Sequence, residues 1–128
     1  KVSKEQIVGL ICALRRYVGK DMAAEQQRWD AMAGRMNGRL QGIPGAQAEI
    51  GFARGGARPL CIPRVRVQVD EKALGRTLAQ VLERLDQGRP AVEVYAEPEY
   101  GTIWLNPQHL TAGEDELVAS RLRAALVE

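Results

Sequence analysis

The sequence has few of the residues that recognisable active sites need. It contains one histidine, His109, and two cysteines, Cys12 and Cys61, which lie far apart and form no CxxC pattern. These three residues match no zinc-site spacing, so no metal ligands are predicted. His109 has no nucleophile or orienting group in a recognised pattern around it, and we interpret it as a surface or rim residue. Residue types and spacing therefore predict no catalytic and no cofactor-binding residue.

Aromatic residues and unbalanced charge are also scarce. One Phe, two Trp and three Tyr offer few surfaces on which nucleic-acid bases could stack. The 18 Lys and Arg nearly balance the 16 Asp and Glu, whereas a nucleic-acid-binding surface needs clustered positive charge. These counts argue against a nucleic-acid partner. An RNA-associated domain stays open as an alternative that would use four arginines: Arg54, Arg58, Arg64 and Arg66.

No apolar run is long enough to span a membrane, and no signal-peptide pattern is present. Cys12 lies on an apolar helical face, which favours a reduced, buried thiol and hence a cytoplasmic protein. We therefore expect no membrane partner. The chain opens on KVSKEQIVGL, without Met and inside an amphipathic stretch, and this predicts the interior of a longer protein.

Two helices are predicted at the start. Ser3 and Gln6 form a capping box ahead of an apolar face that ends at Gly19. Asp21 caps a second helix, where Gly34 and Gly38 are expected to mark a close contact with another backbone. The segment GIPG, residues 42–45, is a break. The two predicted apolar faces are Ile7, Leu10, Ile11, Leu14 and Val18, then Met22, Trp29, Met32, Met36 and Leu40.

After the break, the apolar period changes to two, which predicts strands at residues 46–50 and at Val65, Val67 and Val69. A helix opens at the Thr77–Gln80 capping box, strands follow at 91–97 and 102–105, and a last helix begins after Thr111. The fold class is α+β: two leading helices, then β-β-α-β-β-α, with a mostly antiparallel four-stranded sheet and helices on one face. The inward residues are predicted as Leu78, Val81, Leu82, Leu85, Leu117, Val118, Leu122 and Leu126.

Two groups of charged residues are candidates for binding. The loop RGGARP, from Arg54 to Pro59, has paired glycines and two arginines that could hold an anion, but no helix opens behind it. We interpret it as a plain connection between strands. Arg64 and Arg66 are predicted to form cross-strand ion pairs with Glu93 and Glu97 on a solvated face. Four carboxylates, Glu97 among them, show no paired-carboxylate pattern: Glu83, Asp86, Glu97 and Glu99.

Several stretches, in this order, resemble one enzyme family. They are KVSKEQIVGL, an Ala-Leu-x-x-Tyr helix, a Trp followed by GIPG, IPRVRVQVD, GRPAVEVY and GTIWLNPQHL. They resemble the C-terminal region of the selenocysteine synthase-like family of pyridoxal-phosphate enzymes. That family includes L-seryl-tRNA selenium transferase and D-glucosaminate-6-phosphate ammonia-lyase, and this chain is most similar to the ammonia-lyase branch. The resemblance covers essentially the whole chain.

The resemblance implies a small C-terminal domain of a fold-type I enzyme. Residues 1–42 would be a leading helical segment that continues from a large domain, and residues 43–128 would be the small α+β domain. The large domain would bind pyridoxal 5'-phosphate through a lysine upstream, so none of Lys1, Lys4, Lys20 and Lys72 is expected to be that residue. This chain alone would be inactive, and the parent enzyme is expected to be a homo-oligomer.

The resemblance also implies a small anionic substrate, an amino-sugar acid or an amino acid. Lys1 stands where the family tends to have a basic residue, so Lys1 is the first candidate for contact with a substrate phosphate. Arg58 is a second candidate on its chemistry alone. Two other interpretations stay open: a fragment of a selenocysteine synthase-like enzyme, or a standalone α+β module that dimerises through Ile7, Ile11 and Leu14.

Overall fold

A computed structural model of the protein describes residues 1–52 and 61–128. These residues form five α-helices, four strands and two short 3₁₀ helices. In chain order they are α1 Lys4–Val18, α2 Met22–Arg39, β1 Ala46–Gly51, β2 Arg64–Val69, α3 Glu71–Leu74, α4 Leu78–Asp86, β3 Tyr95–Glu97, the 3₁₀ helix Pro98–Tyr100, β4 Thr102–Leu105, the 3₁₀ helix Pro107–His109 and α5 Glu114–Val127.

The four strands form one sheet in the order β1-β2-β4-β3, and each neighbouring pair is antiparallel. The predicted α+β fold, with two leading helices and an antiparallel four-stranded sheet, is confirmed. One strand is shorter than predicted, because β3 begins at Tyr95 rather than near residue 91. The Val92 N–H donates to the Leu85 carbonyl at 3.0 Å, which holds this segment against the end of α4 instead of beside β4. The one-turn helix α3 was not predicted.

The hydrophobic core lies between one face of the sheet and the helices α2, α4 and α5. Val65 and Val67 of β2 are fully buried, and Ile103 and Leu105 stand opposite them on β4. The helices α2, α4 and α5 pack on the same face of the sheet, as predicted. They contribute these buried side chains: Ala33 and Met36 from α2; Leu78, Val81 and Leu85 from α4; and Ala119, Leu122, Ala125 and Leu126 from α5.

Two predicted core residues are exposed. Met22 and Leu117 keep 45% and 41% of their surface in solvent, so both predictions are wrong. The buried side of α5 passes through Asp115, Ala119, Leu122 and Leu126, and this spacing of four, three and four residues leaves Leu117 on a different face. Asp115 and Ala119 therefore lie on the buried side of α5, where the apolar pattern had predicted Leu117.

Helix α1 forms as predicted but buries none of its residues among the described part of the chain. The Ser3 side chain accepts from the Gln6 N–H and the Gln6 side chain accepts from the Ser3 N–H, which is the predicted capping box. The helix contains no buried residue. Cys12 is a free, exposed thiol, so its predicted burial is wrong. The apolar side of α1 does not reach the core, and by the 3.6-residue period Cys12 lies away from that side.

The glycines of α2 also differ from expectation. A Cβ placed at Gly34 or Gly38 would meet no atom within 4 Å among the described residues, so the predicted close contact is wrong. By contrast, Gly45 in the break after α2 has a positive φ of 78°, and a Cβ there would overlap the backbone of Leu74. The Gly45 carbonyl accepts from the Asp70 N–H at 2.8 Å. This turn therefore fastens β1 to the start of α3.

The first turn of α5 is held by its acidic residues. Arg35 of α2 donates to the Asp115 carboxylate at 2.7 Å, and only 1% of the Asp115 side chain is exposed. This hydrogen bond raises the pKa of Arg35. The Thr111 N–H donates to the Glu114 carboxylate at 2.7 Å. That bond, with a further bond to the Thr111 side chain, lowers the pKa of Glu114 below its usual 4.5. Carboxylates here also suit the positive end of the helix dipole.

Replacing Leu122 by Ala should destabilise the protein strongly, whereas replacing Leu14 by Ala should not. Leu122 is fully buried, so its truncation leaves a cavity and should lower the free energy of unfolding by about 3 kcal/mol. Leu14 is 52% exposed, and its truncation should change that free energy by less than about 0.5 kcal/mol. Urea denaturation of both variants at low protein concentration measures this difference. Equal losses would contradict the described core.

Replacing Glu114 by Gln should make the protein less sensitive to acid. Because folding lowers the pKa of Glu114, the carboxylate stabilises the fold above pH 4.5, and this contribution is lost as the pH falls from 4.5 through the lowered value. The variant lacks the titration, so its melting temperature should fall less steeply over that range. Glu116→Gln removes the same charge from the same turn and serves as the control. Identical pH profiles for Glu114→Gln and the parent protein would refute the assignment.

Candidate functional site

The face of the sheet opposite the core carries two rows of polar and aromatic side chains. The strand register places Glu49, Arg66, Trp104 and Tyr95 side by side across β1, β2, β4 and β3. The next row across the same strands is Gln47, Gln68, Thr102 and Glu97. These residues alternate with the buried valines, so they point away from the helices. We call this surface the open face.

Hydrogen bonds connect the open face across three strands. Arg66 lies 3.3 Å from the Glu49 carboxylate and donates to the Gln68 side-chain oxygen at 3.0 Å. The Gln68 amide donates to the Tyr100 carbonyl, just before β4. Thr102 is 2% exposed, and its hydroxyl lies 3.1 Å from the Gln68 side-chain oxygen. Gln68 thus links the charged pair to a buried hydroxyl.

A second bond crosses from β4 to β3. The Trp104 indole Nε1–H donates to the Glu97 carboxylate at 2.8 Å. Glu97 is therefore engaged by Trp104, and the partner of Arg66 is Glu49 of β1. The predicted pairing of Arg64 and Arg66 with Glu93 and Glu97 is wrong, because the strand order puts β4 between β2 and β3. Cross-strand ion pairing on a solvated face is confirmed, with a different acid.

Two shallow depressions adjoin the β1 edge of the sheet. One has a volume of about 460 Å³, and its polar lining includes Gln41, Gln47, Glu49, Arg66 and Gln68. The other, of about 790 Å³, lies beside α3 and is bordered by Gln47, Gln68, Asp70 and Lys72. Gln41 also donates to the Ala48 carbonyl at 2.9 Å, which covers part of this strand edge. The polar side chains that line the first depression suit a hydrophilic molecule with several hydrogen-bonding groups.

The residues predicted as binding candidates are not brought together. Lys1 is exposed at the start of the chain, ahead of α1. Arg58, Arg54 and the RGGARP loop lie outside the described residues. His109 is exposed in the second 3₁₀ helix, which confirms its interpretation as a surface residue. A substrate phosphate contact by Lys1 or Arg58 stays a prediction.

The described residues do not fit a pyridoxal-phosphate site. All four lysines of the chain, Lys1, Lys4, Lys20 and Lys72, are exposed. A lysine that forms a Schiff base needs an enclosed environment, which none of the four has. Among the described residues, no cluster of three or more His, Cys, Asp or Glu is placed to hold a metal ion. None of the described helices combines the length and the apolar character needed to cross a membrane.

A solved structure of another protein has the same fold as this chain. No family model matches the chain. A solved structure of D-glucosaminate-6-phosphate ammonia-lyase matches 98% of this chain with a TM-score of 0.72 and 28% sequence identity. The predicted resemblance to this lyase is confirmed. The match covers 32% of the lyase chain, so the residues described here are similar to one part of that enzyme.

A curated relative has higher sequence identity. The 5'-C-glycyluridine monooxygenase-decarboxylase of a Streptomyces species is 32% identical over 133 residues, which span the whole of this chain. The chain spans 32% of that relative as well. This chain therefore aligns with about one third of each of these two longer proteins. About two thirds of each relative has no counterpart in these 128 residues.

Sequence reasoning found part of the open face and missed the rest. The alternation in residues 64–69 assigned Arg66 and Gln68 to the side away from the core. The pairing of Trp104 with Glu97 and of Gln68 with Thr102 was missed. Two strands that are separated by a helix can pair in several orders, so only the observed order brings these residues together. The available signal was the alternation in GTIWL, which puts Thr102 and Trp104 on the side opposite Ile103 and Leu105.

Replacing Trp104 by Phe should weaken the outer half of the sheet. The change keeps an aromatic ring but removes the Nε1–H that Glu97 accepts, and a hydrogen bond to a charged group contributes about 1.5–3 kcal/mol. Glu97→Gln keeps an acceptor of the same size and should cost less. Urea unfolding followed by the fluorescence of Trp29, which is buried in α2, reports both variants. A larger loss for Glu97→Gln than for Trp104→Phe would contradict the bond's role.

Proposed function

We propose that this chain is the small domain, with its leading helices, of a longer pyridoxal-phosphate-dependent lyase that resembles D-glucosaminate-6-phosphate ammonia-lyase. Residues 1–42 are the leading segment and residues 43–128 the small α+β domain. The observation that carries the proposal is the match of 98% of this chain to 32% of the solved lyase. The domain is inactive alone, because the lysine that forms the Schiff base lies in the larger part of the enzyme.

Three structural features support this proposal. The sheet is covered by helices on one face only, which leaves the open face available for contact with another domain. Helix α1 has no buried residue, although its sequence is strongly amphipathic. All four lysines are exposed, which supports the proposal that the Schiff-base lysine lies elsewhere in the enzyme. A domain of this kind needs the rest of an enzyme to act.

The cofactor, when bound in the parent enzyme, supplies an electron sink for negative charge that develops at the substrate α-carbon. The part played by this chain is to close over the substrate and to contribute positive charge to its anionic groups. Lys1 and Arg58 are the proposed phosphate contacts. Lys1 is exposed and free to turn toward a neighbouring domain. Arginine and lysine are the usual phosphate-binding side chains.

The names of the two relatives support a substrate class. One acts on D-glucosaminate 6-phosphate, which is an amino-sugar acid, and the other on a uridine that carries a glycyl group. Each name contains an amino-acid unit joined to a sugar-like part. We therefore propose a small anionic amino-sugar acid or amino acid as the substrate of the parent enzyme, which would be a cytoplasmic homo-oligomer.

A second candidate function follows from the sequence comparison. The monooxygenase-decarboxylase is 32% identical to this chain, against 28% for the lyase, so the parent enzyme could instead carry out that oxidative reaction. A third candidate function for the parent enzyme is that of a selenocysteine synthase-like enzyme, which acts on tRNA. The pairing of Arg66 with Glu49 favours a partner other than nucleic acid, because that positive charge is already balanced.

Borohydride reduction of the native polypeptide should identify the parent enzyme. The polypeptide that contains KVSKEQIVGL is isolated from its source cells, reduced and mapped by mass spectrometry. We expect a chain about three times longer than 128 residues, with a phosphopyridoxyl group on a lysine ahead of Lys1. Reduction without added cofactor, after its removal with hydroxylamine, is the control.

The same map separates the alternatives. A native chain of about 128 residues without the modification would refute the enzyme proposal and favour a standalone binding module. A modification on Lys1, Lys4, Lys20 or Lys72 would refute the assignment of the lysine to the missing part. Assay of the long chain with D-glucosaminate 6-phosphate and with the glycyluridine then distinguishes the lyase from the oxygenase.

A further inference from the structure

The open face offers an aromatic surface beside a charged pair. In its first row, Trp104 of β4 stands between Arg66 of β2 and Tyr95 of β3. Side chains that face each other on neighbouring strands lie about 5 Å apart, so one small molecule can contact all three. Tyr95 is 62% exposed and Trp104 is half-buried, so part of the indole ring is accessible. A ligand with a flat apolar side can therefore rest on Trp104.

Hydrogen bonds within the sheet order this surface before any ligand binds. The Trp104 Nε1–H donates to Glu97, which restricts rotation of the indole. The Gln68 side-chain oxygen accepts from Arg66 at 3.0 Å, and the Gln68 amide donates to the Tyr100 carbonyl. Gln68 is thus engaged at both its oxygen and its nitrogen, and it holds the guanidinium of Arg66 in place. A side chain that is already ordered loses less conformational entropy when a ligand binds.

The charged pair presents both kinds of hydrogen-bonding group to a ligand. Arg66 lies 3.3 Å from the Glu49 carboxylate, and 66% of the Glu49 side chain is exposed. A guanidinium only donates hydrogen bonds, and a carboxylate only accepts them. A hydroxyl group does both, so two neighbouring hydroxyl groups of one ligand can accept from Arg66 and donate to Glu49. Gln47, two residues before Glu49 on the same side of β1, adds an amide that both donates and accepts.

The charge of the open face favours a neutral ligand. Its two rows carry the carboxylates of Glu49 and Glu97 but only one guanidinium, that of Arg66. A phosphate or carboxylate group would therefore be repelled, and so would the phosphates of RNA. The ring of a neutral sugar fits better, because its C–H side is apolar and can cover an indole while its hydroxyl groups reach the charged pair. The depression of about 460 Å³ beside Arg66 has room for these hydroxyl groups.

We propose that the open face binds the ring of a neutral sugar, with Trp104 under the C–H side of the ring and two of its hydroxyl groups bound to Arg66 and Glu49. Gln47 and Tyr95 lie at the two ends of this site. The inference concerns the 128-residue chain by itself, so it does not depend on which enzyme the parent is. Where another part of a longer polypeptide approaches the open face, the sugar lies between the two.

Nuclear magnetic resonance of the two tryptophan indole groups tests this site. The nitrogen-labelled 128-residue chain, which has its own hydrophobic core, gives one Nε1–H signal for each tryptophan. Trp104→Phe identifies the signal of Trp104. Titration with methyl β-D-glucopyranoside should shift that signal and leave the signal of Trp29 unchanged, since Trp29 is buried in α2. We expect a dissociation constant on the order of 1 mM, an ordinary affinity for a ligand of this size.

Two variants show whether the charged pair takes part in binding. Glu49→Ala removes the accepting carboxylate and should weaken binding of the glucoside about tenfold, because hydrogen bonds to charged groups are the stronger ones. Glu99→Ala removes the same charge from an exposed position in the 3₁₀ helix before β4, outside the two rows, and should leave binding unchanged. Equal effects of the two substitutions would overturn the inference.

Two further ligands separate the alternatives. Glucose 6-phosphate carries a similar ring with a phosphate and should bind more weakly than the glucoside, because the two rows have a net negative charge. Tighter binding of glucose 6-phosphate would indicate an anion site, tighter binding of uridine would indicate a nucleoside site, and either result would refute the neutral sugar. An unchanged Trp104 signal in the presence of the glucoside would overturn the inference and would leave the proposed parent enzyme unaffected.

Discussion

The fold depends on the burial of one face of β2. Val65, Val67 and Val69 alternate with Arg64, Arg66 and Gln68, and the sheet must therefore present an apolar side and a polar side. The apolar side is removed from water by α2, α4 and α5, and burial of a valine side chain contributes about 1.5–3 kcal/mol. Because the three helices cover this side, the other side stays open. The open face is thus a consequence of how the core is made.

The open face is polar but well connected. Arg66 forms an ion pair with Glu49 within the sheet, and the half-buried Trp104 donates a hydrogen bond to Glu97. Satisfied hydrogen bonds allow polar groups to be partly buried without the penalty that an unpaired group would incur. This organisation suits a surface that meets water or a polar partner. It contrasts with α1, whose apolar side chains are regular, exposed and unpaired within the described residues.

These two surfaces give the domain a consistent interpretation. A standalone protein of this size would ordinarily bury the apolar side of a 15-residue amphipathic helix such as α1, since water-exposed apolar strips are unfavourable. This protein, which is similar to about one third of each of two longer enzymes, leaves that helix exposed. The short turn at Gly19–Asp21 joins the outward-facing helix to the anchored one.

The local sequence by itself determined most of the elements. Capping boxes at Ser3 and Thr77 set two helix starts, and the two-residue period set β2, because both signals act between residues that are near in the chain. The resemblance to the ammonia-lyase could also be recognised from ordered stretches of sequence. Only the tertiary structure decided the strand order, the pairing of Arg66 with Glu49 and the exposure of Cys12. Each of these depends on which elements that are distant in the chain pack together. An amphipathic pattern predicts that a face is buried, but it does not predict which element buries it.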